Sequence, residues 1–449
     1  MIPEGFLSRM KDMLGEEFEA FEASLSQPSV RGIRVNTAKI SVADFLEKTT
    51  LTLSPIDYAE DGFIPEDCEG IGKTAEHHAG MFYVQDPGAM ATVKALDIQP
   101  GWRVLDACAA PGGKASQLAA AIGEDGFLLA NEYVPKRAKI IVSNFERLGI
   151  KNAVVTSLDT STLGETYPCY FDLVLCDAPC SGEGMFRKYE EAVSEWSEEN
   201  VRICAERQRK ILKNLARAVR PGGYLLYSTC TYSREENEDM VADFLKGHPE
   251  FSLCEVNPKL IAATADGLDG MVEARRFYPH LSRGEGQFIA LMKKDENSPI
   301  LTTKVGKDAL KPANKADITA FEKFAYDNLF RKPEGKITVT GEYLVLVNHE
   351  NQIPAFSTFM SGVILGEVKK GNFFPHHQFF SAYGQLFKRR EELKAGDAKV
   401  EKYLRGEEIA ASFTDSGWCC VTYEGVALGG GKASGGRIKN HYPKGLRNN

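Results

Sequence analysis

The chain has 449 residues, a length that predicts about three domains or subdomains at roughly 150 residues each. Hydrophobic residues make up 43% and charged residues 26%, which is typical of folded globular proteins and excludes a wholly disordered or collagen-like chain. The 62 acidic residues outnumber the 54 basic ones, so a generally basic coat for nucleic acid is excluded and any polyanion must meet a local basic patch.

The first ten residues lack the charged and apolar regions of a signal peptide, and no run approaches the roughly 18 apolar residues of a membrane span. We therefore expect a cytoplasmic protein without a membrane helix. Turn-forming residues and one amphipathic stretch fill the chain up to about residue 67, and from about His78 strand and helix patterns alternate. Strands are predicted at Arg103–Ala107, Phe127–Asn131, Ala153–Ser157, Phe171–Cys176, Gly223–Ser228 and Gln287–Met292.

Helical patterns lie between these strands. Helices are predicted at Gly113–Ile122, from Pro135 to Gly149, at Asn200–Val219 and after a capping box formed by Ser233 and Glu236. The alternation indicates an α/β fold with a mostly parallel sheet, helices on both faces, and ligands at the carboxyl ends of the strands.

The last third of the chain has a different pattern. A linker is expected at Lys293–Lys315, where polar residues and proline replace the periodic spacing. The region Ala316–Asn449 is richer in β-branched and aromatic residues. Its last part, Gly417–Arg447, has short alternating runs broken by glycine and predicts a small β-rich module.

The loop after the first predicted strand has the composition of a ligand site. Small residues together with Gly112 and Gly113 let a ligand approach the backbone closely. Glu132 ends the second strand, where a carboxylate can accept hydrogen bonds from ribose hydroxyls. Asp159 lies just past the third strand and can do the same for an adenine amino group. A tight turn beside two surface acids is the alternative. A dinucleotide site would need a GxGxxG loop, whereas this loop has only Gly112 and Gly113. A nucleoside ligand without phosphates, such as S-adenosylmethionine, fits the loop better.

Two cysteines lie at the predicted ligand edge. Cys180 follows the fourth strand and Cys230 follows the fifth, close to Asp177 and small residues, which favours catalysis over two unrelated loop thiols. The ten cysteines contain no CxxC pair, so we expect reduced thiols. Histidines occur as adjacent pairs rather than at ligand spacing, and we predict no metal site.

Three motifs together resemble the RNA cytosine-5 methyltransferases of the Nol/Nop/Sun type. They are Cys-Ala-Ala-Pro-Gly-Gly-Lys at 108–114, Asp-Ala-Pro-Cys-Ser-Gly at 177–182 and Ser-Thr-Cys-Thr-Tyr-Ser at 228–233. Further segments are similar to parts of that family: 31–37 to its N-terminal RNA-binding segment, 83–86 to the stretch before its cofactor loop, and 436–447 to the RsmF (YebU) branch, which ends in a PUA-like module.

The resemblance implies a Rossmann-like, S-adenosylmethionine-dependent methyltransferase sheet between an N-terminal RNA-binding extension and a C-terminal, β-rich PUA-like module. It places the extension at 1–77, the catalytic domain at 78–295, a linker and intermediate domain at 296–390, and the module at 391–449. The implied cofactor-binding residues are Cys108, Ala109, Ala110, Pro111, Gly112, Gly113, Lys114, Glu132, Asp159 and Asp177.

The implied reaction transfers a methyl group to carbon 5 of a cytosine in RNA. Because that carbon is a weak nucleophile, a cysteine thiolate must first add to carbon 6. By resemblance, Cys230 attacks, Cys180 assists product release, Asp177 and Pro179 hold the cytosine edge, and Lys114 lies at the cofactor loop. The residue pattern alone leaves the attacking cysteine open, and the Pro-Cys thiol used by DNA cytosine-5 enzymes is the alternative.

We expect a monomer that acts on ribosomal RNA or a small ribosomal subunit. Transfer RNA remains an alternative substrate, and a non-catalytic RNA-binding assembly factor remains an alternative function. One candidate RNA surface is the basic tail, with five cations and no acid after residue 424: Lys432, Arg437, Lys439, Lys444 and Arg447. A second candidate surface, beside the Pro-Cys loop, consists of Phe186, Arg187 and Lys188.

Overall fold

The chain is built on four β-sheets, seen in a computed structural model that describes residues 2–301, 310–349 and 357–448. Part of the expected linker at 293–315 lies outside the described residues. Among the described residues, no helix is long and apolar enough to cross a membrane. Short 3-10 helices lie at Gly15–Glu17, Ile71–Lys73, Glu183–Met185, Arg234–Glu236, Pro258–Ala263, Leu268–Gly270, Gly384–Leu386 and Lys444–Leu446.

The first sheet is antiparallel and has four strands in the order β2-β3-β1-β4. Its elements are α1 (Glu4–Leu14), α2 (Phe18–Leu25), β1 (Gly32–Val35), α3 (Val42–Lys48), β2 (Leu53–Ile56), β3 (Ala59–Pro65), α4 (Ala75–His78) and β4 (Phe82–Gln85). Strand β4 pairs with β1, so this sheet includes residues beyond position 77.

The second sheet has ten strands and confirms the predicted α/β fold. Its strands are β5 (Arg103–Asp106), β6 (Phe127–Asn131), β7 (Ala153–Thr156), β8 (Phe171–Asp177), β9 (Val219–Thr229), β10 (Phe251–Cys254), β11 (Ala265–Asp266), β12 (Arg275–Phe277) and β13 (Gln287–Lys294), with a tenth strand described below. The helices of this region are α5 (Pro87–Val93), α6 (Gly113–Ala121), α7 (Pro135–Leu148), α8 (Thr160–Thr166), α9 (Glu190–Glu195), α10 (Glu198–Leu215) and α11 (Glu238–Gly247).

The order of strands in this sheet places a ligand site. Five parallel strands run β7-β6-β5-β8-β9, and β13 joins antiparallel to β9. From β5 the chain proceeds to β6 and β7 on one side, and it later returns through β8 and β9 on the other. A crevice forms at such a switch point outside the carboxyl ends of the strands, here next to β5 and β8.

Two further sheets follow. The third has the order β14-β15-β16-β18-β19, and the fourth has the order β20-β22-β23-β24-β21. Their strands are β14 (Lys311–Pro312), β15 (Lys336–Thr340), β16 (Tyr343–Val347), β17 (Thr358–Met360), β18 (Val363–Lys369), β19 (Asn372–Pro375), β20 (Arg390–Leu393), β21 (Ile409–Ala410), β22 (Gly417–Tyr423), β23 (Val426–Ser434) and β24 (Arg437–Asn440). The helices are α12 (Lys315–Asn328), α13 (His377–Tyr383) and α14 (Ala398–Leu404). Strand β17 pairs with β7 and is the tenth strand of the large sheet.

Apolar side chains cover both faces of the large sheet, as its near-continuous hydrophobic strands require. A further cluster joins the first sheet to the fourth: Ile33, Phe45 and Phe82 belong to the same buried group as Tyr403 and Ile438. The N-terminal and C-terminal parts of the chain therefore share one hydrophobic core.

Candidate active site

The three motifs meet at one edge of the large sheet. Residues 108–114 follow β5. Residues 177–182 begin with the last residue of β8, and residues 228–233 begin with the last two residues of β9. Because β5, β8 and β9 are adjacent parallel strands, their carboxyl ends bring the three loops together at the switch point.

The two predicted cysteines are direct neighbours. The sulfur atoms of Cys180 and Cys230 lie 3.3 Å apart, and both residues are partly exposed. Hydrogen bonding with Cys230, reinforced by burial, raises the pKa of the Cys180 thiol well above its usual value. Cys180 therefore keeps its proton at neutral pH.

A lysine–aspartate pair lies beside the thiols. Lys114 Nζ donates to Asp177 Oδ2 at 2.8 Å, and Ser228 Oγ donates to Asp177 Oδ1 at 2.7 Å. Burial lowers the pKa of Lys114, but the Asp177 carboxylate outweighs burial and the net shift is upward, so the ammonium remains charged. Lys114 also interacts electrostatically with Cys230.

The predicted acidic residues differ in their surroundings. Glu132 is buried at the end of β6, where its Oε1 accepts from the Val134 amide at 3.0 Å and Arg137 lies 3.4 Å from Oε2. Asp159 is exposed and caps α8 by accepting from the Ser161 amide at 2.9 Å. Asp159 therefore has a structural partner in addition to its predicted ligand role.

Asp106, at the end of β5, was not among the predicted site residues. It is fully buried, and its Oδ2 has no hydrogen-bond partner within the described structure. Burial, with a smaller contribution from Asp177, raises the pKa of Asp106 to about 8. Its position at the end of the first strand of the parallel sheet is the sequence signal that could have identified it.

The glycine loop is held from both sides. Gly112 has φ +111°, a conformation that side chains rarely adopt, whereas a side chain at Gly113 would meet the Tyr83 ring at 3.1 Å. Helix α7 holds the outer part of the loop, because Arg137 donates to the Ala110 carbonyl at 3.2 Å and Asn144 to the Pro111 carbonyl at 2.9 Å.

The inner part of this loop is anchored to the sheet. The Ala109 amide donates to the Asn131 carbonyl at 2.8 Å, and the Cys108 amide donates to Asp106 Oδ1 at 3.4 Å. The predicted loop residues therefore form a fixed turn between β5 and α6.

Two residues of the expected RNA-binding segment are buried. Arg34, 2% exposed, donates to Gln85 Oε1 at 2.9 Å and to Ser116 Oγ at 2.8 Å. Asn36 donates to the carbonyls of Gly80 and Leu148, each at 2.9 Å. These two side chains join the first sheet to the catalytic region and are not available to RNA.

The predicted RNA surface next to the Pro-Cys loop is wrong. Phe186 packs on Phe6 with ring centroids 4.9 Å apart. The side chain of Arg187 is 5% exposed and donates to Glu285 at 2.8 Å, while Lys188 donates to Asp86 at 2.7 Å. The ring is part of a core and both cations are neutralised, so none of the three presents a surface to phosphate.

The basic tail is partly confirmed as an exposed basic surface. Lys432, Lys439 and Lys444 are exposed and form no ion pair in the part of the chain that the structure describes. Arg437 pairs with Glu408 at 3.1 Å, and Arg447 donates to a backbone carbonyl. Within the described ranges, no group of three or more metal-binding side chains is present.

Family models match three parts of the chain. The model for 16S rRNA methyltransferase RsmB/F matches residues 93–293, the model for the N-terminal domain of 16S rRNA methyltransferase RsmF matches residues 2–87, and the methyltransferase RsmF PUA domain matches residues 390–448. The expected Rossmann-like sheet with an N-terminal extension and a PUA-like module is therefore confirmed.

Whole-chain relatives agree with these matches. Ribosomal RNA small subunit methyltransferase F of Klebsiella pneumoniae is 35% identical, with 99% of this chain and 96% of that protein covered. The protein with the same description from Vibrio vulnificus is 33% identical, with coverages of 99% and 97%. A crystal structure of a methyltransferase homolog protein from Pyrococcus horikoshii has a TM-score of 0.57 at 30% identity and covers 65% of this chain and 95% of that chain. The predicted resemblance is confirmed, and this chain belongs to the ribosomal RNA small subunit methyltransferase F family.

Proposed function

We propose that this chain transfers a methyl group from S-adenosylmethionine to carbon 5 of a cytosine in small-subunit ribosomal RNA, through a covalent bond between Cys230 and the base. The observation that carries the proposal is the 3.3 Å separation of two thiols at the ends of neighbouring strands. Cytosine-5 methylation needs one thiol to bond to the ring and a later step that releases it, and two adjacent thiols at this edge of the sheet supply a group for each step.

Cys230 is the attacking group. The charged Lys114, held by Asp177 at 2.8 Å, interacts electrostatically with Cys230, whose sulfur adds to carbon 6. Addition makes carbon 5 nucleophilic. After methyl transfer, a base removes the proton of carbon 5, the electron pair of that bond restores the ring double bond, and the sulfur of Cys230 leaves as a thiolate, to which the Cys180 thiol can donate a proton.

Cys180 assists the release step. Its neighbour and its burial keep it protonated in the free enzyme, so it does not compete for carbon 6. Once the Cys230 sulfur is bonded to the base, Cys180 is the thiol 3.3 Å from the bond that must break. Asp177 and Pro179, at the start of the same loop, are positioned to hold the edge of the cytosine.

The acids at the strand ends fit S-adenosylmethionine, which would supply the electrophilic methyl group when bound. The Oδ2 of buried Asp106 has no hydrogen-bond partner within the described structure, as expected where a polar group of a ligand belongs. Glu132 offers a buried carboxylate one strand away. The loop 108–114 would hold the cofactor between these two acids, with Asp159 at the outer end.

The PUA-like module binds RNA in this proposal, through the exposed Lys432, Lys439 and Lys444. The domain limits of 1–77, 78–295, 296–390 and 391–449, the monomeric state and the cytoplasmic location stay predictions.

The division of labour between the two cysteines is tested on a denaturing gel with RNA and cofactor. In Cys180→Ser the base is attacked and methylated but released slowly, so a protein–RNA band of raised mass should accumulate. In Cys230→Ala no bond can form, and the double variant should behave in the same way. A trapped band in Cys230→Ala but not in Cys180→Ser would transfer the attacking role to Cys180.

The substrate is tested by bisulfite sequencing of total RNA from a strain that lacks this gene. One lost site in small-subunit ribosomal RNA is expected, and a lost site in transfer RNA would change the substrate. An unchanged methylation pattern in both RNAs would favour a non-catalytic assembly factor.

A further inference from the structure

Two buried glutamates connect the loops that carry the thiols. We infer that Glu183 and Glu236 form a reciprocal clasp, in which each glutamate binds the loop of the opposite cysteine and thereby sets the position of the two sulfur atoms. The inference rests on the proposed role of Cys180 and Cys230 as the reacting thiols. Within it, both glutamates are positioning residues, because neither lies at the reacting atoms.

Glu183 belongs to the Cys180 loop and holds the Cys230 loop. It is 2% exposed. Its Oε2 accepts from Thr231 Oγ1 at 2.9 Å and from the Tyr232 amide at 3.0 Å. Its Oε1 accepts from Ser233 Oγ at 2.7 Å and from the Trp196 indole at 2.8 Å. Three of its four donors therefore lie directly after Cys230.

Glu236 follows the Cys230 loop and holds the Cys180 loop. It is fully buried, and its Oε2 accepts from the Ser181 amide at 3.1 Å. The same oxygen accepts from Gln208 Nε2 at 2.7 Å, and that amide also donates to the Pro179 carbonyl at 3.0 Å. The residues on both sides of Cys180 are thus tied to Glu236.

Direct contacts between the two loops close the clasp. The hydroxyl groups of Ser181 and Thr231 lie 2.8 Å apart, and the Gly184 amide donates to the Cys230 carbonyl at 2.9 Å. A Cβ atom at Gly184 would lie 2.9 Å from that carbonyl oxygen, so glycine is needed for the approach. Because these contacts fix the backbones of both loops, they also set the 3.3 Å separation of the two sulfur atoms.

The donors of Glu183 make an amide a poor replacement. Two of them, the Tyr232 amide and the Trp196 indole, are N–H groups that can only donate, and they bind different oxygens. In Glu183→Gln, whichever way the amide turns, its NH₂ group faces one of these N–H donors. The isosteric change therefore leaves a buried donor unsatisfied.

The donors of Glu236 have the opposite property. The Ser181 amide and Gln208 both bind Oε2, at 3.1 and 2.7 Å, and the Ser181 amide reaches Oε1 only at 3.4 Å. Glu236→Gln can place its carbonyl oxygen there and keep both hydrogen bonds, whereas Glu236→Ala removes the acceptor. The clasp thus predicts that glutamine preserves the positioning role at position 236 but not at position 183.

The test measures alkylation of each cysteine by iodoacetamide in the full-length protein without RNA or cofactor, read by peptide mass spectrometry. In Glu183→Gln and Glu236→Ala, alkylation of Cys180 and Cys230 should accelerate about tenfold, the factor that the loss of roughly one buried hydrogen bond gives. Glu236→Gln should retain wild-type rates. The buried Cys419 and Cys420 should not change, which separates a local loosening from global unfolding.

Glu391 provides a matched control. It is equally buried, its Oε2 accepts from the backbone amide and the hydroxyl of Ser412 at 2.7 and 2.8 Å, and its Oε1 pairs with Lys399 at 2.6 Å. It lies in β20, in the fourth sheet. Glu391→Gln should leave the alkylation rates of Cys180 and Cys230 unchanged.

Wild-type rates at both thiols in Glu183→Gln, or equal acceleration at Cys419 and Cys420, would overturn the clasp. If Glu183→Gln does not fold, Thr231→Val decides in its place, because it removes the hydroxyl shared by Glu183 and Ser181. This readout needs no turnover. If the Cys230→Ala enzyme still methylated RNA, the proposed function would be rejected while the alkylation result would stand. If the alkylation rates contradicted the clasp, the proposed function would stand.

Discussion

Glu236 is a carboxyl group whose ionisation makes folding stability depend on pH. Burial raises its pKa from 4.5 to about 7. Between these two values the folded protein holds a proton that the unfolded chain has released, so the free energy of unfolding falls as the pH rises. Above pH 7 the carboxyl group is ionised in both states, so burying its charge lowers the free energy of unfolding by a constant amount.

Replacing Glu236 by glutamine removes this cost. The free energy of unfolding of Glu236→Gln, relative to the wild type, should rise by about 2 kcal/mol between pH 5.5 and pH 8, as linkage gives for such a shift. Urea denaturation at the two pH values measures it, with Glu391→Gln as the control. A difference that does not vary with pH would show that Glu236 has an ordinary pKa.

The same residue shows where a local pattern misleads. Ser233 and Glu236 have the spacing of a capping box, but that prediction is wrong, because neither side chain caps the following helix. Ser233 Oγ donates to Glu183, and Glu236 binds the Ser181 amide. Partners 50 and 55 residues away in the chain compete for the same side chains, and a local spacing rule cannot include them.

At the scale of single elements, the central strands were predictable because each is a short, continuous apolar run. The parallel strands and the helices between them lie within a few residues of the expected positions. Helix α10 was expected to reach Val219 but ends at Leu215, because Val219 instead begins β9 and pairs with Phe171. Pairing in a sheet supplies that boundary, and helical periodicity does not contain it.

Strands β23 and β24 carry the strongest candidate RNA surface. Lys432 and Lys439 are paired directly across the two strands, and Lys432 Nζ lies 5.7 Å from the centre of the Trp418 ring. Two like charges in a cross-strand pair destabilise a sheet. A phosphate between them would remove that repulsion.

Neutralising the exposed lysines should weaken RNA binding in a salt-dependent way. If Lys432, Lys439 and Lys444 each contact a phosphate of single-stranded RNA, changing all three to glutamine should reduce the log–log salt slope by about 2, at roughly 0.7 per contact. Filter binding across a salt series measures the slope. Arg437→Gln is the control, since Glu408 already neutralises that cation. An unchanged slope in the triple variant would exclude these three lysines as phosphate contacts.

At the scale of the whole molecule, the module at the C-terminus is not a separate appendage. The first and fourth sheets share a buried cluster, and His78 binds the Tyr442 hydroxyl at 2.7 Å across the interface. Lys39 joins the helices α7 and α13, because its Nζ donates to the Arg147 carbonyl at 3.1 Å and to Ser381 Oγ at 2.9 Å. The PUA-like module is thus packed against the first sheet.

The sequence could not predict this arrangement. The apolar residues of β1 and β4 indicate only that these strands are buried, and those of β22 and β23 indicate the same. Whether the first sheet packs on the fourth depends on contacts between residues more than 300 positions apart in the chain. A single sequence carries no local signal for such contacts. The same limit explains why Arg34 was expected at an RNA surface and instead lies buried beside α6.

Removing the module should therefore destabilise the rest of the chain. A protein ending at residue 389 loses the fourth sheet and exposes apolar side chains of the first, including Ile33, Phe45 and Phe82. Each such side chain contributes about 1.5–3 kcal/mol when fully buried, and several of them are a large share of a typical folding free energy. We expect a lower Tm by calorimetry, increased binding of a hydrophobic dye, and weaker binding of S-adenosylhomocysteine, because Arg34 connects the first sheet to the cofactor loop through Ser116 and the Gly113 carbonyl. The triple lysine variant is the control, since it changes the RNA surface of the module without removing its core. A truncated protein with the Tm and the ligand affinity of the full chain would show that the catalytic domain folds independently of the module.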